Sequence, residues 1–374
     1  MNDISVAAVG SGSLIGRSVS MLDTPALLAD LDIVEANISR IAGECRANGI
    51  SWRPHVKGNK TIEIVRMELA AGAIGITCAK VGEAEVMVEG GVRSVLIANE
   101  IVGAPKIARI VALQDRAEVM VGVDSVANCA PIATFANRSG AVIPVVIEVN
   151  VGMNRAGVAP GQDVVALADA IAKMPGARLV GVMAWESQAT AIADPIEKAG
   201  VVREAVALLT CSADACRKAG HRIDIVSCGG SGTFPYCASQ PGITEIEAGG
   251  AIFSDMHYRE HYHLDFPPGL FLLTSVISRP TPQRIILDAG RKAMSCDAAM
   301  PAPIGLPPGK VSKVSAEHAA IELEAPSIFP EVGEKVQLVA GYGDTTVHLH
   351  EEIVATRGSR IEAVWKVAAR GRIK

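Results

Sequence analysis

The fold this sequence predicts is a (β/α)8 barrel followed by an all-β domain, and three observations predict it. Eight short apolar runs alternate with helix-like stretches between Ser51 and Glu247. The carboxyl end of each run breaks into polar or glycine residues. Beyond about residue 266 the helical texture gives way to alternating apolar and polar positions separated by Gly, Pro and Asp turns.

In chain order, residues 1–22 are rich in Gly and Ser and read as an extension packing on the β-domain. Asp23-Thr24-Pro25 opens a short strand and then an amphipathic helix with apolar Ile33, Ile38 and Ile41. The barrel strands are expected at Ser51–His55, Ile74–Thr77, Val95–Ala98, Ala117–Val121, Ile143–Val149, Leu179–Ala184, Ile223–Ser227 and Thr244–Glu247. Helical segments separate them, which favours a parallel closed sheet. An open doubly wound sheet competes, but no GxGxxG follows the first strand. The barrel domain is thus assigned to 23–266 and the β-domain to 267–374, divided near Pro267-Pro268.

Composition narrows the function. The net charge is −5, only 20% of residues are charged and no basic run occurs, so nucleic acid is not an expected partner. Apolar residues make up 49% but come in short runs, none long enough to span a membrane, and the amino-terminal stretch lacks the pattern of a signal peptide. A cytoplasmic enzyme is expected. The eight cysteines form no CxxC pair, and reduced thiols in small core positions account for them.

Chemistry concentrates at the strand ends. Arg53-Pro54-His55-Val56-Lys57 follows the first barrel strand. A lysine there, beside His55 and Arg53, suits Schiff-base formation with an aldehyde cofactor. Cys228-Gly229-Gly230-Ser231-Gly232-Thr233 follows the seventh strand and Ala248-Gly249-Gly250-Ala251 the eighth. Consecutive glycines let backbone N–H groups face one cavity, and Ser231 and Thr233 add hydroxyls, which is how a loop cradles phosphate. A lysine after strand one with a phosphate cup after strands seven and eight suggests pyridoxal 5'-phosphate. Arg155, within Val151–Val158 after strand five, is placed to orient the cofactor ring or a substrate carboxylate. Trp185 follows the sixth strand, beside Glu186, and is a further cofactor-binding candidate.

These motifs, nearly end to end, resemble the D-threonine aldolase and D-serine dehydratase-like family within the alanine racemase-type fold. The family's Arg-Pro-His-x-Lys stands at Arg53–Lys57, its glycine loop at Gly229–Thr233, its Val-Gly-x-x-Arg-x-Gly-Val at Val151–Val158, and Asp288-Ala289-Gly290 matches a motif of the second domain. The resemblance implies a barrel plus β-domain, a homodimer, bound pyridoxal phosphate on Lys57 and chemistry at the α-carbon of a D-amino acid.

Departures mark this chain as a divergent member. The family's metal pair, His-x-Asp or His-x-Cys, falls on Tyr342 and Asp344, so Asp344 is the retained ligand and a phenol replaces the imidazole. A neutral phenol is a poor ligand for Mg, Mn or Zn. Read as a strand, Tyr342, Asp344, Thr346, His348 and His350 share one face, and strand rise separates His348 from Asp344 by about 13 Å. Metal loss is the favoured expectation. Ala251 replaces a tyrosine, and Trp185-Glu186-Ser187 replaces Tyr-His-Gly. The leading reading is aldol cleavage of a D-configured β-hydroxy amino acid, with Lys57, His55, Tyr342 and His350 as catalytic candidates. The alternatives are dehydration to a keto acid and ammonia, racemisation by Lys57 and Tyr342, and a non-catalytic pyridoxal phosphate-binding protein.

Overall fold

The computed structural model describes residues 14–374, so the first part of the amino-terminal extension, residues 1–13, lies outside the described residues. The chain divides into two compact units that do not follow the sequence as two blocks. Of the described residues, one holds 14–36 with Phe253–His257 and Pro267–Val367; the other holds Asn37–Ile252, Tyr258–Phe266 and Ala368–Lys374.

Strand β1 (Ala26–Asp30) leads directly into helix α1 (Leu31–Ala47). Asp30 makes this junction, because its Oδ1 accepts the N–H groups of Asp32 and Ile33 and satisfies donors at the helix start. The barrel unit is built from β2 (Ser51–Trp52), β3 (Ile76–Cys78), β4 (Ser94–Glu100), β5 (Glu118–Val123), β6 (Ile143–Glu148), β7 (Ala177–Met183), β8 (Ile225–Cys228) and β9 (Glu245–Ile246). Between them run α2 (Ile62–Ala70), α3 (Val81–Glu89), α4 (Ala104–Leu113), α5 (Val126–Arg138), α6 (Gln162–Ile171), α7 (Pro195–Lys218) and α8 (Phe234–Ala238). All eight predicted strands are present and pair in parallel, in the order β2-β9-β8-β7-β6-β5-β4-β3. The two ends meet through a parallel bridge between His55 and Thr77, so the sheet closes. Its strands are buried on both faces: Val95, Leu96, Ile97, Val119, Val121, Val145, Val146 and Ile147 expose nothing. Continuous Val/Ile runs, without alternation, are what a helix-covered parallel sheet demands.

The β unit follows the short helix α9 (Met256–Glu260). It comprises β10 (Leu270–Thr281), β11 (Arg284–Leu287), β12 (Ala302–Ile304), β13 (Gly309–Val314), β14 (Ala319–Leu323), β15 (Lys335–Val339), helix α10 (Gly343–Val347), β16 (Glu352–Arg357) and β17 (Arg360–Lys366). Strand β1 belongs here, antiparallel to β10 and parallel to β16. Residues 14–22 join the same unit: Gly16 N–H donates to the Ile361 carbonyl, Val19 N–H to that of Ser359, and Leu22 packs among Leu28, Leu273 and Ile361. A second cluster gathers Leu272, Val276, Ile285, Leu287, Ile321 and Leu338 under β10, β11, β14 and β15.

One expectation is overturned here. The segment from Tyr342 to His350 is not a strand: Gly343–Val347 form α10, with Tyr342 as its N-cap. Asp255 fixes the turn by accepting the Gly343 N–H, at 2.5 Å. Thr346 adds a hydroxyl bond back to the Tyr342 carbonyl at 2.7 Å. The shared strand face and the 13 Å separation therefore do not apply, since Asp344 and His348 stand four residues apart on a helical turn.

Candidate active site

Lys57 follows β2 on a short turn. Its neighbours are fixed by the barrel: Arg53 is buried and donates to Glu245 of β9 at 2.9 Å and to Ser94 of β4 at 2.9 Å. The turn closes as the Lys60 N–H donates to the Val56 carbonyl. His55 accepts the Lys57 backbone N–H at its Nδ1, 3.3 Å away, which leaves its ring proton on Nε2. Burial, with the charges of Lys57, Lys60 and Arg155, holds this imidazole well below the usual histidine range. It is a neutral ring beside the lysine.

Trp185, at the end of β7, organises the site. Lys57 Nζ lies 5.1 Å from its ring centroid and the Arg155 guanidinium 5.4 Å. Arg155 is carried on the Val151–Val158 loop, which Val149 and Val158 close with a parallel bridge. Asn150 Oδ1 accepts the N–H groups of Gly152 and Asn154, both at 3.1 Å, and so stiffens the turn. Arg155 also reaches Glu148 at 3.5 Å. Burial first, then the charge of Glu100 at the end of β4, pushes the Glu148 carboxyl up to about 8. Sequence reasoning misses Glu148 and marks Glu100 only as one polar residue among those at the strand ends. Only their position at strand ends marks them, and a glutamate ending an apolar run looks like any strand terminus.

The glycine loops form a cup. The N–H groups of Gly230, Ser231 and Gly232 donate to no acceptor among the described residues. Ser231 accepts the Ala251 N–H at 2.9 Å, which ties the loop after β8 to the turn after β9 and leaves its hydroxyl proton available. At Gly230 a Cβ would stand 2.7 Å from Trp185 Nε1, so the loop lies directly against that ring. At Gly249 a Cβ would stand 2.1 Å from the His55 carbonyl oxygen, and only glycine permits the β9 turn to approach the β2 turn that closely. At Gly250 a Cβ would instead meet a side-chain end, the Tyr258 hydroxyl, at 2.0 Å. Thr233 plays a different part from Ser231. It is fully buried, and its hydroxyl donates to Glu186, which also accepts the Gly229 N–H at 3.4 Å. The cup thus offers backbone donors and one hydroxyl, with a buried carboxylate behind it. Lys57, His55, Trp185, Arg155, Ser231, Gly232, Thr233, Gly249 and Gly250 all belong to the barrel unit.

The remaining candidates lie in the β unit. Tyr342 donates its phenol proton to Asp344 Oδ2 at 3.2 Å, and its ring packs edge-on against His257, with centroids 4.8 Å apart. His350 Nε2 donates to the Ala293 carbonyl at 2.6 Å. At the family's metal pair, a protonated phenol spends its donor on the carboxylate. That donor set does not fit a divalent ion.

Comparison with known proteins gives a consistent set of relatives. Residues 29–257 match the family described as "Alanine racemase, N-terminal domain", and residues 269–356 match a serine dehydratase domain. A D-threonine aldolase from an Arthrobacter species is 33% identical over 359 residues, covering 95% of both chains. A 3-hydroxy-D-aspartate aldolase from Paracoccus denitrificans (strain Pd 1222) is 33% identical over 371 residues, covering 96% of this chain and 95% of its own. Among solved structures, D-threonine aldolase from Filomicrobium marinum aligns with a TM-score of 0.93 at 32% identity, covering 96% of this chain and 99% of that one.

Proposed function

The chain belongs to the alanine racemase-type family, in its D-threonine aldolase and D-serine dehydratase-like branch, and from that premise we propose that it cleaves a D-configured β-hydroxy amino acid. The products are glycine, or a related amino acid, and an aldehyde. Enzymes of this type use pyridoxal phosphate, and the barrel unit fits it: an open N–H cup and a lysine adjoin one tryptophan ring. The observation that carries the reading is this shared contact, Lys57 and Arg155 on Trp185 beside the Gly230–Gly232 loop.

When bound, the cofactor supplies a protonated ring that takes up the electron pair released as a bond at the α-carbon breaks. The chain's own residues do the rest. Lys57 Nζ would hold the cofactor's aldehyde carbon and is the group placed to move a proton at the α-carbon. His55, kept neutral, donates from Nε2 and adds no competing charge beside the lysine. Arg155 is a permanent cation, oriented by Glu148, for the ring's phenolic oxygen or the substrate carboxylate. Trp185 walls one side with apolar surface, keeping water from the reacting atoms. Glycine-loop N–H groups and the Ser231 hydroxyl take the phosphate. Tyr342 and His350 keep acid–base roles on the strength of motif position. Tyr342 has a carboxylate acceptor for its proton, as a proton carrier needs.

The test is product analysis on a panel of D-β-hydroxy amino acids with pyridoxal phosphate added, with and without a chelator. Glycine plus an aldehyde, unaffected by chelator, is the expected result. A keto acid with ammonia would replace cleavage by dehydration, an epimer alone by racemisation, and no product would refute the substrate class. A Lys57→Ala protein that still turned over substrate would refute the assignment of the lysine.

A further inference from the structure

Lys198 is a deeply buried cation of the barrel unit, remote in sequence from the motif that carries Lys57. It lies in the first turn of α7, only 3% exposed. Its Nζ donates to the Tyr262 carbonyl at 2.8 Å and, at the limit of a hydrogen bond, to the Gly232 carbonyl at 3.5 Å. No carboxylate pairs with it among the described residues; burial alone acts on it, and lowers its pKa. A buried ammonium without a counter-ion is costly, and the cost falls when an anion arrives.

The loop it touches has the complementary deficit. Glu186, 1% exposed, sits behind the cup and accepts from Gly229 and Thr233. A phosphate entering the cup meets backbone donors that carry only partial charges, with a full negative charge close behind them. Something must offset that carboxylate. No other lysine or arginine among the described residues donates to Gly229–Thr233.

We infer that Lys198 is the fixed positive charge of the phosphate cup, a positioning residue set behind the Gly230–Gly232 loop. By drawing the Gly232 carbonyl toward its own ammonium, it turns an anion-repelling oxygen away from the cup. Its charge offsets Glu186 and becomes the counter-ion of the bound phosphate. The inference rests on the pyridoxal phosphate reading and deepens it: affinity for the phosphate depends on Lys198, and affinity for the rest of the cofactor does not.

The experiment strips the protein of cofactor and titrates it with pyridoxal 5'-phosphate and, separately, with pyridoxal, following the absorbance of the bound aldehyde. Wild type is expected to bind the phosphorylated form more tightly. Lys198→Met should weaken pyridoxal 5'-phosphate about tenfold to a hundredfold while leaving pyridoxal within about twofold. Lys198→Arg should keep most of the preference. Equal weakening toward both ligands would show a merely structural lysine and overturn the inference, and so would an unchanged preference in Lys198→Met. Should Lys198→Met fail to fold, Lys198→Gln, which can still donate to the Tyr262 carbonyl, carries the same comparison. A wild type that binds pyridoxal as tightly as its phosphate ester would refute the phosphate cup itself, a result separable from either outcome at Lys198.

Discussion

At the scale of single residues, Glu148 shows how a strand end sets both stability and the site. It closes β6 with its carboxyl buried, facing Arg155 at 3.5 Å and, from β4, Glu100, one of whose oxygens is buried without a partner. Two adjoining carboxyls cannot both ionise cheaply, so the pair retains a proton near neutrality. The folded pKa of about 8 stands above the ordinary 4.5, so the folded state binds a proton that the unfolded chain has released. The stabilisation is full below the ordinary carboxyl range and is lost as pH rises through about 8. Glu247, raised to about 7 mainly by burial, acts in the same sense. Urea unfolding of wild type should therefore give a free energy that falls between about pH 5 and pH 8.5, and Glu148→Gln should fall less steeply over that range. Parallel pH curves for the two proteins would refute the shared-proton assignment. The same substitution weakens the hold on Arg155, so a higher KM at unchanged expression should accompany it.

The elements differ in how openly the sequence declares them. The barrel strands are plain because both faces are buried, so Val/Ile runs repeat without interruption between helices. The cup was legible because Gly229-Gly230 and Gly249-Gly250 are unusual pairs in fixed places. Helix α10 was not legible: Gly343-Asp344-Thr345-Thr346-Val347 has the β-branched content of a strand. What makes it a helix is the Asp255 carboxylate at Gly343 and the Thr346 hydroxyl on Tyr342, partners that no local pattern announces. Lys198 was missed likewise, since an amphipathic helix hides one inward lysine among its surface charges. The α10 geometry makes its own prediction, because the side chains of positions 342 and 344 converge to 3.2 Å. Tyr342→His should place an imidazole beside Asp344 and create a divalent site, read as saturable Mn2+ binding by calorimetry that wild type lacks. Saturable binding in wild type that Asp344→Ala removes would show that the phenol does not block the site. Tyr342→Phe should cost about 0.5–1.5 kcal/mol for the lost hydrogen bond, and more in kcat than in cofactor affinity if the phenol carries a proton.

Over the whole molecule, the chain visits its two units more than once, and the crossings explain why division by composition is a coarse guide. Strand β1 looks like the start of a β/α series, but its Ala26–Ala29 stretch finds its antiparallel partner in β10, far along the chain. At the other end, Val367-Ala368-Ala369-Arg370-Gly371 continues β17 without a change in texture, yet Ala368–Lys374 return to the barrel unit. There the Ala369 N–H donates to the Lys60 carbonyl at 3.1 Å, and the Lys374 carbonyl accepts the Gly82 N–H at 2.8 Å and Arg109 at 3.4 Å. Lys60 is buried and paired with Glu83, whose second carboxylate oxygen accepts the Ala79 and Lys80 N–H groups at 2.7 and 3.0 Å. The returning segment therefore braces the turn that carries Lys57 and the start of α3 together. Deleting residues 368–374 removes the hydrogen bonds just named together with the buried Ala369 methyl, for a loss of about 2–4 kcal/mol in the barrel unit. The expected readout is a lower urea midpoint together with weaker retention of pyridoxal phosphate and of pyridoxal alike, because the lysine turn loosens while the glycine cup is untouched. A midpoint equal to that of the full chain would show that the bracing contacts contribute nothing. Selective loss of the phosphorylated form would instead mean that the segment acts on the cup.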